Sequence, residues 1–298
     1  MEQPEQSLPV SGEGDVYEPS LCLDDDSLLG MTLSGVPDET STPSPGASMH
    51  DWFNHGLAML KSARWGSSRD AFFKVQSQIP SGDPLEARCY ALRGYATAKL
   101  GRTDEAIEAY QDSIRIDDGA IEAWSGLACA LLDQSQLQKA LEAALQATQI
   151  RPENAPLRYN VGNILLRLED YHGALAAFRE AIKRDPGLYP AYVNLGVALA
   201  GQGAYAESIE QLDYAHILEP NARRVHTNRG IVLARLKRWD ESAEALSRSI
   251  ELSPKIGRTY IVLSIVERCR GNTLGAMSIL NKCIDMDLEK PRAFHNLG

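Results

Sequence analysis

The feature that most constrains this chain is a register of 34 residues. Trp124, Tyr192 and Tyr260 stand 68 residues apart, twice that period. Pro152, Pro186, Pro220 and Pro254 recur at 34. So does a small residue: Ala106, Ala140, Ala174, Ser208, Ser242 and Ala276. A second small column runs Gly94, Ala128, Gly162, Gly196, Gly230 and Ser264. Six copies fill 87–290 without insertion. Self-similarity at a fixed period marks a repeat architecture, in which each copy buries its apolar face against its neighbours.

The content of each copy predicts a pair of helices. Apolar residues recur at three- and four-residue steps, the helical period. A bulky residue opens the first helix (Trp124, Tyr192). An apolar and a small residue follow, as in Leu195-Gly196, and the small one lets two helices approach closely. A polar turn comes next, such as 167–170 or 201–203. The second helix carries the Ala or Ser, then a larger residue four places on: Tyr110, Phe178, Leu212, Leu246 or Leu280. These share one face. The proline ends the pair, because it cannot continue a helix.

This pattern resembles the tetratricopeptide repeat. The copy at 121–154 carries Trp124, Leu127, Ala140, Ala147 and Pro152. The copy at 155–188 carries Gly162, Ala174, Phe178, Ala181 and Pro186. The next carries Leu195, Gly196, Ala215 and Pro220. The resemblance covers nearly all of 49–298. It implies an all-α fold, a right-handed superhelical solenoid of about seven antiparallel helix hairpins. Residues 49–86 read as a divergent first copy, with Trp52, Gly56, Ala71 and Phe72 placed and extra residues in the turn near Ser67. Two copies depart at the proline position, with Asp118 and Leu288. Residues 291–298 begin a further copy (Phe294, Leu297, Gly298) with no polar capping helix. That stub reads as a short cap, or as the mark of a fragment or of a chain that relies on a partner.

Charge separates an arm from this body. The formal net charge is −10, from 30 Lys+Arg against 40 Asp+Glu. Residues 1–48 hold ten acidic side chains and no Lys or Arg, so 49–298 balances at 30 against 30. The arm is rich in Ser, Pro and Gly, cannot bury enough apolar area to offset chain entropy, and is expected to be disordered. Within it, Leu21, Leu23, Leu28, Leu29 and Met31 surround Asp24-Asp25-Asp26. That patch reads either as a solvating tail or as a short motif that docks in the chain's own groove. Thr42-Pro43 and Ser44-Pro45 are weak proline-directed phosphorylation signals. A neutral body with an acidic arm argues against non-specific nucleic-acid binding. There is no membrane-length apolar run and no secretory signal. Cys22, Cys89, Cys129, Cys269 and Cys283, odd in number and irregular in spacing, suggest reduced thiols and a cytoplasmic location.

No catalytic motif is present: no GxSxG, no phosphate-binding GxxxxGK[ST], no GxGxxG after a strand, no HExxH. The six histidines (His50, His55, His172, His216, His226, His295) do not pair with cysteines at metal spacing. His226, opening a first helix, and His172, placed in a turn, read as structural or exposed. Cys283 occupies a column that holds Ala147, Ala181 and Ala215, so it reads as a small core residue. The chain is expected not to be an enzyme, and no cofactor or metal is expected.

The family resemblance implies that first helices line a concave, ligand-binding surface. One column on their exposed face reads Asn160, Asn194 and Asn228, with Asn163 nearby. An amide offers donors and an acceptor, so such a ladder can grip the main chain of an extended peptide; it is similar to the repeat region of O-GlcNAc transferases. The bland reading is that Asn is simply common at this place in such helices. Arg167, Arg224, Arg235, Arg258 and Arg268 are placed on the same face and suit carboxylates, or are merely solvated. The carboxylate clamp known in the family uses lysines where this chain has Ala91, Ser125 and Tyr159. The function implied is a scaffold or adaptor that holds an extended peptide, acidic in character, or a helix of a protein partner. Two alternatives stand beside it: the substrate-recognition array of a larger, glycosyltransferase-like enzyme, and a scaffold that self-associates through uncapped ends.

Overall fold

A computed structural model describes residues 41–44, 46–80 and 82–288. The acidic–apolar patch of the arm and the stub at 291–298 lie outside these. The described residues contain fourteen helices and no strand. They fall into two compact units, divided between Glu169 and Asp170.

The first unit holds α1 (Met49–Lys61), α2 (Trp65–Gln76), α3 (Leu85–Lys99), α4 (Thr103–Ile116), α5 (Ile121–Asp133), α6 (Leu137–Ile150) and α7 (Ala155–Arg167). The second holds α8 (Tyr171–Arg184), α9 (Tyr189–Gly201), α10 (Tyr205–Leu218), α11 (Arg223–Arg235), α12 (Trp239–Leu252), α13 (Gly257–Cys269) and α14 (Thr273–Asp285). Helix starts at 121, 155, 189, 223 and 257 keep the 34-residue period, as do those at 103, 137, 171, 205, 239 and 273. Each helix packs on the next within its unit.

Three residues turn the chain within every hairpin, and the middle one is left-handed. Gly101, Gly203 and Gly271 occupy that place at φ 75°, 79° and 83°. Ala63, Ser135, Glu169 and Lys237 hold the same conformation without glycine, at φ 53° to 60°. The residue after it closes the turn by donating its N–H five residues back, Gln136 to Leu131 and Arg238 to Leu233 at 2.9 Å each. This arrangement satisfies carbonyls that the helix end leaves open. Prolines stand two residues beyond the ends of α6, α8, α10 and α12, where a helix has already stopped.

The paired small residues bring the helices of a hairpin together. A Cβ added at Gly196 would stand 2.9 Å from Leu212 Cγ and 3.2 Å from the Ser208 carbonyl. At Gly230 it would meet Leu246 Cγ at 2.6 Å. Where the second helix carries Ser instead of Ala, its hydroxyl donates to the facing glycine carbonyl: Ser208 to Gly196 at 2.6 Å, Ser242 to Gly230 at 2.7 Å. Tyr110, Phe178, Leu212, Leu246 and Leu280 are all buried, as their spacing predicted.

The first hairpin corrects one expectation. Ser68, not Ala71, is its small residue, and its hydroxyl donates to the Gly56 carbonyl at 3.0 Å. The turn near Ser67 has ordinary length and Ser67 itself lies in α2. The extra residues lie in the connection 77–84, between α2 and α3. His172 is likewise in the first turn of α8, exposed, and not in the preceding turn.

Candidate peptide-binding face

The predicted amides are placed on first helices, but they are not open to solvent. Asn160 and Asn163 on α7 are 5% and 6% exposed, and Asn194 on α9 and Asn228 on α11 are 1% and 2% exposed. For Asn194 and Asn228 the reason is the packing of consecutive first helices. Within the second unit, Arg224 Nη2 on α11 reaches back to Asn194 Oδ1 on α9, at 3.3 Å. The column therefore faces the neighbouring helix as well as the surface. Asn228 differs from Asn194: neither its Nδ2 nor its Oδ1 has a hydrogen-bond partner among the described residues. Asn160 shares this property in the first unit. Buried amides without partners are uncommon and each asks for an explanation.

Residues at interruptions of these columns show what fills the space elsewhere. At Gly126, in the Asn column of α5, a Cβ would stand 2.3 Å from Tyr110 Cζ. The tyrosine ring takes the place of an amide. At Gly201, in the column of Arg235, a Cβ would stand 2.4 Å from Tyr171 Cε1. Farther along, Val262 fills the Asn column of α13 and is 1% exposed. Ala91, Ser125 and Tyr159, at the would-be clamp positions, are 4%, 2% and 4% exposed and belong to the packing.

The arginines divide by unit. Arg224 and Arg258 are the second residues of α11 and α13 and are half-buried, while Arg235 is half-buried and Arg268 exposed in the last turns of the same helices. A cation there also complements the helix dipole. The same three columns hold only Pro190, Ala200, Gly201, Ala234 and Cys269 besides, so no carboxylate sits among them. In the first unit Arg167 is answered. Partial desolvation raises the carboxyl of Asp133 above its usual range, and Arg167 and Lys99 pull it back down. Lys99, Asp133 and Arg167 form one column at 34-residue spacing. That column was readable from the register, but a search for cations alone passes over Asp133.

Elsewhere the chemistry is structural. Burial pushes the Cys89 thiol up to about 12, and its sulfur donates to the Phe72 carbonyl at 3.3 Å, so it is no nucleophile. Cys283, fully buried, fills its predicted packing position. Cys89, Cys269 and Cys283 are free thiols. Among the described residues, no group of three His, Cys, Asp or Glu is placed to hold a metal ion. No described helix is long and apolar enough to cross a membrane.

Two models of the tetratricopeptide repeat match the chain, one at 87–119 and the other at 125–189, 159–218 and 193–255, together more than half of it. The chain belongs to the tetratricopeptide repeat family. Its repeats form a fold that generally mediates protein–protein interaction. Tetratricopeptide repeat protein 16 of Mus musculus is 27% identical over 154 residues, covering 49% of this chain and 20% of that protein. The chain spans between 7% and 27% of the length of the curated relatives it matches. A tetratricopeptide repeat protein from Parabacteroides merdae superposes with a TM-score of 0.67 at 15% identity, over 84% of this chain and 97% of that one. YrrB, described as having an unusual peptide-binding site, superposes at 0.50 with 22% identity, over 62% and 94% of the two chains. At these identities the likeness is one of fold.

Proposed function

We propose that the chain is a non-catalytic adaptor that binds an extended, acidic segment of a protein partner along the first-helix face of α9, α11 and α13. The observation that carries this reading is Asn228. Its amide is buried at 2% exposure, yet both polar atoms lack partners. Leaving an amide in that state costs about 1–3 kcal/mol. No hydrogen bond holds its side chain, so turning it toward a ligand breaks none. A peptide main chain offers the N–H and C=O that it lacks. Asn194 lies one period away, and the flanking columns carry arginine and no carboxylate, so carboxylates on the ligand meet cations and no like charge there. YrrB, as a peptide-binding protein of the same fold, is consistent with this use.

The test is an array of unstructured peptides with and without Asp or Glu at alternate positions, probed with the full chain and with Asn194→Ala/Asn228→Ala. Acidic peptides should bind, and the double variant should lose about tenfold or more in affinity. Equal binding by the variant, or a preference for basic peptides, removes the reading.

A further inference from the structure

The second unit carries another surface, on its second helices, with the opposite chemistry. Between α8, α9 and α10 lies a recess of about 210 Å³. Ile182, Tyr192, Leu195 and Leu199 give it an apolar lining, and Gln211 and three charged side chains complete it: Glu207 and Glu210 of α10 against the single Arg179 of α8, so carboxylates outnumber cations there. Tyr192, Leu195 and Leu199 lie on a different face of α9 from Asn194, at 100° per residue around the helix. The recess is therefore distinct from the amide column.

The recess continues along α10. The Tyr192 ring packs 6.1 Å from that of Tyr214. Tyr214 is 57% exposed and Ile217, one turn on, is 73% exposed. Glu207, Glu210, Tyr214 and Ile217 follow at steps of three and four, so they form one stripe along the helix, about 15 Å long. Single exposed apolar residues are ordinary. Two of them continuous with an apolar recess, with carboxylates at one end, make a graded surface. Glu207 near the start of α10 also suits its own helix dipole. That accounts for neither the exposed Ile217 nor the recess.

We propose that this stripe docks a basic amphipathic helix of a protein partner. Its apolar side chains would enter the recess and cover Tyr214 and Ile217, and its Lys or Arg residues would meet Glu207 and Glu210. A partner helix presents side chains at the same three- and four-residue steps as α10, so the two stripes match in period. The chain's own arm does not fit, because residues 1–48 carry ten carboxylates and no Lys or Arg. The adaptor would then hold two partners of opposite charge, one on each helix layer of the second unit.

The probe is an 18-residue helix of Leu and Lys, with Leu along one face and one Leu replaced by a photoreactive analogue. Its Glu-for-Lys counterpart is the control. Against the full chain, the Lys probe should bind at least about tenfold tighter than the Glu probe. Glu207→Lys/Glu210→Lys should weaken it by about tenfold and Ile217→Ser by about threefold or more, with unchanged circular dichroism. Cross-links should map to 205–218. Equal affinity for the two probes, unchanged binding by the variants, or cross-links concentrated in 1–48 or 223–235 would overturn the proposal. So would a wild-type dimer in sedimentation that Ile217→Ser dissociates, since a second copy would then cover the stripe.

Discussion

The indole Nε1 of Trp124 donates to the carbonyl of Asp118, six residues earlier, at 2.8 Å. Tyr260 Oη does the same to Pro254, at 3.1 Å, and His226 Nε2 to Pro220, at 2.7 Å. The bulky residue that opens a first helix thus fastens the connection leading into it. Three side-chain chemistries perform one task, because each places a donor at the far end of a ring. Tyr260→Phe removes the donor and keeps the ring. It should cost about 0.5–1.5 kcal/mol in urea titration and speed amide exchange at 255–258. Unchanged exchange there would show that packing alone fixes the connection.

His226 makes this fastening sensitive to acid. A carbonyl only accepts, so Nε2 carries the hydrogen and the neutral ring suffices. Burial lowers the pKa of His226 from 6.5, with His216, Arg248 and Arg229 acting in the same direction and the Pro220 carbonyl against them. The unfolded chain therefore takes up a proton more readily than the folded one. The stabilising contribution is full above 6.5 and fades as pH falls through the lower, folded value. Thermal denaturation at pH 7.5 and 5.5 should show a larger fall in Tm for the wild type than for His226→Tyr, which copies Tyr260. An equal fall would place the acid sensitivity elsewhere.

Asn228 separates a binding role from a structural one. If its amide serves a ligand, the free protein does not need it. Asn228→Val, which copies Val262, should raise stability by about 1 kcal/mol or more while abolishing capture of acidic peptides. A clear loss of stability would mean that the amide is satisfied in the folded protein.

The close approach within hairpins has a steric test. Gly230→Ala drives a methyl against Leu246 and should cost about 1–3 kcal/mol. Ser242→Ala, which copies the alanine of other repeats, removes only the hydroxyl bond to Gly230 and should cost about 1 kcal/mol or less. A glycine variant as mild as the serine variant would show that α11 and α12 separate freely.

Much of this was legible beforehand, for a physical reason. A packing position repeated every 34 residues shows itself by size alone, so Gly196, Gly230, Phe178 and Leu212 could be assigned before any coordinate. The misassigned Ser68 shows the limit. The lengthened connection after α2 breaks the count, and nothing in the size of Ala71 distinguishes it from Ser68. The site was less legible. Helix periodicity places Asn194 and Asn228 on a first-helix face, but how far they are buried depends on how closely the neighbouring first helix lies. Spacing does place Asp133 in the column of Arg167, but it does not show the partial burial in which the two charges interact.

The long connection at 77–84 carries one more consequence. Each hairpin closes on its own three-residue turn, so the added length before α3 displaces no later residue from its partner. Foreign sequence, such as a tag or a whole folded module, could be spliced there at small cost. The same insertion at 134–136 would pull apart the left-handed turn at Ser135 and misalign the helices on either side. The chain thus distinguishes places where its length is negotiable from places where it is not.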